Sequence, residues 1–163
     1  MSGHLIGIAV RPERYAEMVE RTTIKIDARG LEGDHARERD DRPDRIVSVL
    51  AVEDWQAACA DLDQSDEPSN LHWLTRRANL LVEGLRLPRA QGAILNIGDV
   101  QLEVRAQTHP CKRMEEARPG LLKALAKEWR GGVLCKVVSP GEVSVGDVAE
   151  IVSSPPEIER RLP

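Results

Sequence analysis

Cys111 lies in the stretch Gln107-Thr108-His109-Pro110-Cys111-Lys112-Arg113-Met114, where a thiol has two chemistries open to it. As a thiolate it is a nucleophile or a soft metal ligand, and neighbouring cations or a helix start lower the usual pKa of about 8.5. His109 stands two positions before it, and Lys112 and Arg113 follow directly. An ordinary loop cysteine is the alternative. Pro110 fixes its own φ and biases His109 towards extended backbone, a stiff exit that aims the next side chain. His109 could act as a base or ligand, or be a surface imidazole. Asp34-His35 offers a carboxylate and an imidazole to a metal, though chain neighbours need not point together. Arg76, Arg77 and Arg130 could bind an anion or sit in surface salt bridges. With no glycine-rich phosphate loop, HExxH or GxSxG motif present, residue types alone name no reaction.

The other two cysteines read differently. Cys59 shares a helical apolar face with Val52, Trp55 and Leu62, and Cys135 shares a strand face with Val133 and Val137, so both are expected to pack. Three cysteines without a CxxC pair argue against a disulfide framework or a structural zinc site, making a reducing cytoplasm the default. The 163 residues suit one domain, expected over 1–152, with a flexible C-terminal tail over 153–163. Four aromatics and a formal charge of -4 argue against nucleic-acid partners, which need stacking platforms and a basic surface. No apolar run is long enough for a membrane span, and the first residues do not read as a secretory signal. Of the 23 basic side chains 18 are Arg, which leaves room for a local anion pocket inside an acidic protein.

The elements that must position these residues are mostly short strands. Residues 4–10, 22–28, 46–50, 80–82, 92–104, 133–138 and 141–151 carry alternating or continuous apolar runs. Val100, Leu102 and Val104 are expected on the buried side. Gly98-Asp99 and Gly146-Asp147 sit between apolar runs as tight turns would. The polar stretch from Gly30 to Arg45 reads as a solvated, mobile loop, and Gln64 to Asn70 as a polar turn. Two or three helices are expected, among them one over Val52–Leu62 and one bracketed by Gly120 and Gly131 with Leu121, Leu125 and Trp129 on one face. Strands in runs rather than alternating with helices give a mainly β chain with helical insertions (α+β), a mostly antiparallel, barrel-like sheet.

The order of the pieces carries a resemblance. Gly30-Leu-Glu-Gly33-Asp34-His35, Arg45 to Leu50, Arg77-Ala78-Asn79 running to Gly84, Gly98-Asp99, Pro110-Cys111, Arg130-Gly131-Gly132-Val133 and Gly141 to Asp147 together resemble a stand-alone MOSC domain, the domain named for the C-terminus of molybdenum cofactor sulfurases. The similarity spans about residues 4–152. It implies a MOSC-like β-barrel that binds molybdenum–molybdopterin, with the family's cysteine falling on Cys111. There it would carry sulfur as a persulfide, or ligate molybdenum in reductases of N-hydroxylated bases and amidoximes. Arg77 and Asn79 match the Arg-x-Asn element, and with Lys112, Arg113, Arg130, Asp34 and His35 would face the cofactor. His109 would assist Cys111, and Gly33 and Gly132 would let backbone approach a bulky ligand. Partners implied are a cysteine desulfurase or an electron-donor reductase, with a homodimer or a purely partner-docking barrel as further options. Pyridoxal phosphate is not expected here, and Glu115-Glu116 would oppose an anion near Cys111.

Overall fold

Alternating apolar residues on short strands leave each strand one face to bury, and in this chain they bury it by closing a ring. The computed structural model describes residues 2–38, 42–62, 71–109 and 111–157; the polar turn at 64–70, Pro110 and the last six residues of the tail lie outside them. Among the described residues there are eleven strands: β1 (Ser2–Val10), β2 (Val19–Arg21), β3 (Thr23–Asp27), β4 (Gly30–Leu31), β5 (Val47–Ala51), β6 (Leu80–Glu83), β7 (Ile94–Ile97), β8 (Val100–Gln107), β9 (Val133–Ser139), β10 (Gly141–Ser144) and β11 (Val148–Ser153). Seven of them follow the order β11-β7-β8-β9-β5-β6-β1, and β1 pairs again with β11 to close a barrel. Only β5 and β6 run parallel within it. β2 extends the wall beside β1, and β10-β3-β4 form a separate three-stranded sheet.

The barrel core holds Leu5, Leu95, Leu102 and Val104 with the expected Val100, and the small sheet adds Ile24, Ile26, Leu31 and Val143 to it. A second core lies between the wall and the helices α1 (Val52–Leu62), α2 (Lys112–Ala117) and α3 (Leu121–Ala126). There Ala9, Leu50 and Leu81 meet Trp55, Cys59, Met114, Leu121 and Leu125. The glycine turns behave as their positions require: Gly98 and Gly146 adopt φ of +53° and +102°.

Two expectations change. The helix expected to run from Gly120 to Gly131 ends at Ala126, because Glu128 and Trp129 take φ of +49° and +59°. Trp129 thereby leaves the Leu121–Leu125 face and enters the barrel core. The described part of the charged stretch after Gly30 is also more tightly held than its composition implies. Arg37 makes a two-pronged bond to Asp27 at 2.8 and 2.9 Å and donates to the Gly30 carbonyl. Asp34 accepts from the Arg11 backbone N–H at 2.8 Å, and 3₁₀ turns form at His35–Glu38 and Pro43–Arg45.

Candidate functional site: a cysteine at an arginine hollow

The site forms where the exits of β1 and β8 meet the approach to β6. Cys111 is the extended residue immediately before α2, with φ -103° and ψ 170°, and its side chain is exposed. It borders a hollow of about 500 Å³ whose wall contains Arg11, Arg14, Arg76, Arg77 and Arg113, together with Tyr15, His35 and Met114. No carboxylate is among these lining residues.

Arg76 ends the 3₁₀ turn Trp73–Arg76, whose start is capped by His72 Nδ1 accepting from the Leu74 N–H. Arg77 follows in the left-handed region (φ 62°, ψ 37°), and the two side chains go to different partners. Arg76 donates through Nε and Nη2 to the Gly131 carbonyl at 3.0 and 2.7 Å; Arg77 donates through Nη2 to the Ala16 carbonyl at 2.6 Å. Burial pushes the Arg76 guanidinium down to about 10, with the nearby Cys111 sulfur acting in the opposite direction. It remains a cation at neutral pH, and among the described residues no carboxylate pairs with it. Burial lowers Arg77 too, helped by Arg113 and Arg11 and opposed by Cys111 and Asp34.

Arg113 and Arg14 both lie over the Tyr15 ring, 4.8 and 4.9 Å from its centroid, contacts that hold two flexible side chains at the rim. Arg11 contributes a buried Nε without a hydrogen-bond partner. A buried donor left in this condition is costly.

The structure therefore brings Cys111, Arg77, Arg113 and His35 together. Asp34 and Asn79 lie next door, in a side pocket of about 150 Å³ that shares Arg11 and Arg77 with the hollow. Asn79 is engaged structurally: its Oδ1 accepts from the Ser48 N–H and Oγ, and its Nδ2 donates to the Ala9 carbonyl. Arg130 is directed elsewhere, to Asp61 Oδ2 at 2.6 Å and the Ala124 carbonyl. His109 and Lys112 are exposed and do not line the hollow. Gly132 (φ +88°) lies against β5, where a Cβ would come 2.1 Å from the Val49 carbonyl oxygen. Glu115 accepts from the Gly120 N–H, and neither Glu115 nor Glu116 lines the hollow. Among the described residues no three His, Cys, Asp or Glu side chains cluster as a metal site. Arg11, Arg14 and Tyr15 were not singled out by sequence. Their only local signal is Arg-Pro-Glu-Arg-Tyr directly after the first strand, and the pairing of β1 with β6 is what sets that segment beside Arg76 and Arg77.

A closed, mostly antiparallel β-barrel with a cysteine beside an arginine-lined hollow is the class that fold and site define. Residues 32–150 match the MOSC domain, and the chain belongs to that family, a molybdenum cofactor-binding one. The fold is also that of solved structures of low sequence identity. The YuaD protein of Bacillus subtilis superposes with a TM-score of 0.75 at 18% identity, covering 93% of this chain and 96% of that one. YiiM of Escherichia coli gives 0.65 at 18% identity over 98% and 73%, and YiiM of Geobacillus stearothermophilus 0.68 at 15% over 93% and 75%. No curated protein is significantly similar to the chain. Among the described residues no helix is long and apolar enough to cross a membrane.

Proposed function

We propose that this protein binds the molybdenum cofactor at the arginine hollow and carries sulfur for it as a persulfide on Cys111. The observation that carries this reading is the buried Arg76 guanidinium, which opens a hollow of five arginines beside an exposed thiol and has no carboxylate partner among the described residues. Guanidiniums take phosphate by paired hydrogen bonds, so Arg76, Arg77 and Arg11 suit the pterin phosphate. Arg113, steadied by Tyr15, adds a cation next to the sulfur. When bound, the cofactor supplies a thiophilic, redox-active metal, for which a cysteine sulfur is a suitable soft ligand.

Sulfur loading needs only the thiolate and a donor. Cys111 Sγ attacks the outer sulfur of a donor persulfide, such as one on a cysteine desulfurase. The new S–S bond forms as the donor's S–S bond breaks, and the donor leaves as a thiolate with the electron pair. The three free cysteines are consistent with a reducing, cytoplasmic setting.

Purified wild-type protein and Cys111→Ser, from a molybdenum-replete host, would be compared by metal, pterin and sulfane-sulfur analysis. Loading present in the wild type and lost in a folded variant is expected; equal loading in both sinks the proposal.

The side pocket favours one alternative. Asp34 would accept hydrogen bonds from the N–H groups of a small base, as a molybdenum-dependent reductase of N-hydroxylated bases or amidoximes requires, with electrons from a separate donor. Turnover of an amidoxime with a flavin reductase, lowered in Asp34→Asn, would favour that reading over sulfur carriage.

A further inference from the structure

We propose that Cys111 is a site of reversible thiolation by carboxylate-bearing low-molecular-weight disulfides, of which glutathione disulfide is the representative. The sulfur is exposed, whereas Cys59 and Cys135 are buried. The groups beside it select for charge. Arg76, only 7% exposed, lines the hollow and donates to one carbonyl, that of Gly131, so its charge has no anionic partner among the described residues. Arg11 brings a buried Nε with no partner, and Arg14 and Arg113 stand at the rim over Tyr15. A hollow of about 500 Å³ is in the range that holds a small ligand. Carboxylates on the incoming thiol would meet guanidiniums in forked geometry, and an ammonium-bearing disulfide would meet repulsion.

The exchange balances within its two reactants. The Cys111 thiolate attacks one sulfur of the disulfide, a new S–S bond joins Cys111 to that half, and the old bond breaks. The other half departs as a thiolate with the electron pair, so Cys111 is oxidised as the departing thiol is reduced. Excess free thiol reverses the step. The regulatory consequence rests on the function proposed above, since a capped sulfur can neither accept a sulfane sulfur nor ligate a metal. The chemistry itself rests only on the hollow.

The test uses the full reduced chain with glutathione disulfide, a net anion, and cystamine, a dication, followed by intact-mass spectrometry. Each rate constant is divided by that of the same disulfide with 2-mercaptoethanol, which removes intrinsic reactivity. At low ionic strength the normalised ratio is expected to favour glutathione disulfide by at least about 10-fold, as focusing by a cationic cleft predicts. One adduct per chain should form on Cys111 and be absent in Cys111→Ser. The preference should fall several-fold in about 0.5 M NaCl and in the Arg14→Gln/Arg113→Gln variant, because screening and lost cations weaken the same field. A normalised ratio near one, a preference insensitive to both salt and arginine removal, or an adduct on Cys59 or Cys135 overturns the proposal. Molybdenum, pterin and sulfane-sulfur contents of the uncapped protein are measured separately, so this idea can fail while the cofactor reading stands, and the reverse.

Discussion

Cys59, Cys111 and Cys135 carry the same functional group and meet different fates because of what surrounds the sulfur. Cys135 lies on β9 inside the barrel, where burial pushes its thiol pKa far up, and a thiol held protonated is a poor nucleophile. Cys59 is buried in the helix layer. A thiol reagent added to the native protein should therefore react quickly at Cys111 alone and reach all three cysteines only after unfolding in urea; fast native labelling of Cys135 would contradict the core assignment. The arginines diverge in the same way. Arg130 has its carboxylate in Asp61, and Arg76 has none among the described residues. Sequence picked out Cys111, Arg76 and Arg77 because their neighbours are themselves charged or constrained. It could not tell Arg76 from Arg130, since Asp61 lies 69 positions from Arg130 and pairing over that span depends on the completed fold.

At the scale of elements, the approach of β9 to β5 depends on one residue without a side chain. Gly132 has φ +88°, and a Cβ there would come 2.1 Å from the Val49 carbonyl oxygen and 3.1 Å from its carbon, both of them backbone atoms. Gly132→Ala must therefore separate the strands as well as bear the left-handed penalty of about 1–2 kcal/mol. A loss of at least about 2 kcal/mol in urea denaturation is expected, and a variant within error of wild type would show that the strands do not approach this closely. α1 contains the opposite case, a residue that lowers stability. Burial raises the Asp54 carboxyl above its ordinary range, with Arg89 opposing and Glu53 reinforcing the shift. The folded protein then holds this proton more tightly than the unfolded chain does. Ionised Asp54 weakens folding at neutral pH, and the penalty fades as pH falls through the raised pKa towards the ordinary carboxyl range. Asp54→Asn should raise the melting temperature at pH 7 and match wild type under acid conditions; a variant less stable at pH 7 would mean that attraction to Arg89 prevails. Strands and α1 were legible from apolar spacing because burial imposes that spacing directly. The end of α3 was not, since Trp129 keeps the four-residue interval of Leu121 and Leu125 while two left-handed residues carry it into the other core.

Across the whole molecule the decisive contact joins the two ends of the sheet. Ser2, Gly3 and His4 of β1 pair with Glu150, Ala149 and Val148 of β11, and β11 also pairs with β7, so one strand seals the ring on both sides. The short strands and their order pointed to a barrel, but no local pattern specifies which strands meet across 140 residues or more. Beyond Ser153 the chain adds an exposed ion pair between Glu157 and Arg86 and places Pro155 against Gly92. Such a pair contributes only about 0–1 kcal/mol, and neither contact belongs to the barrel wall. Truncation after Ser153 should therefore leave a cooperative melt within a few degrees of the full chain. Truncation after Asp147 removes only six further residues, yet it leaves β7 and part of β1 as unpaired edges and takes Ala149 out of the core. Unpaired edges invite association, and β1 would lose its β11 pairing at Ser2–His4, keeping β6, β2 and the Leu5 bonds to Gly146 and Asp147. The expected outcome is loss of the cooperative transition and aggregation, read by calorimetry and light scattering. A sharp melt in the shorter chain would mean that the barrel is stable open, and that the hollow at Cys111 does not depend on its closure.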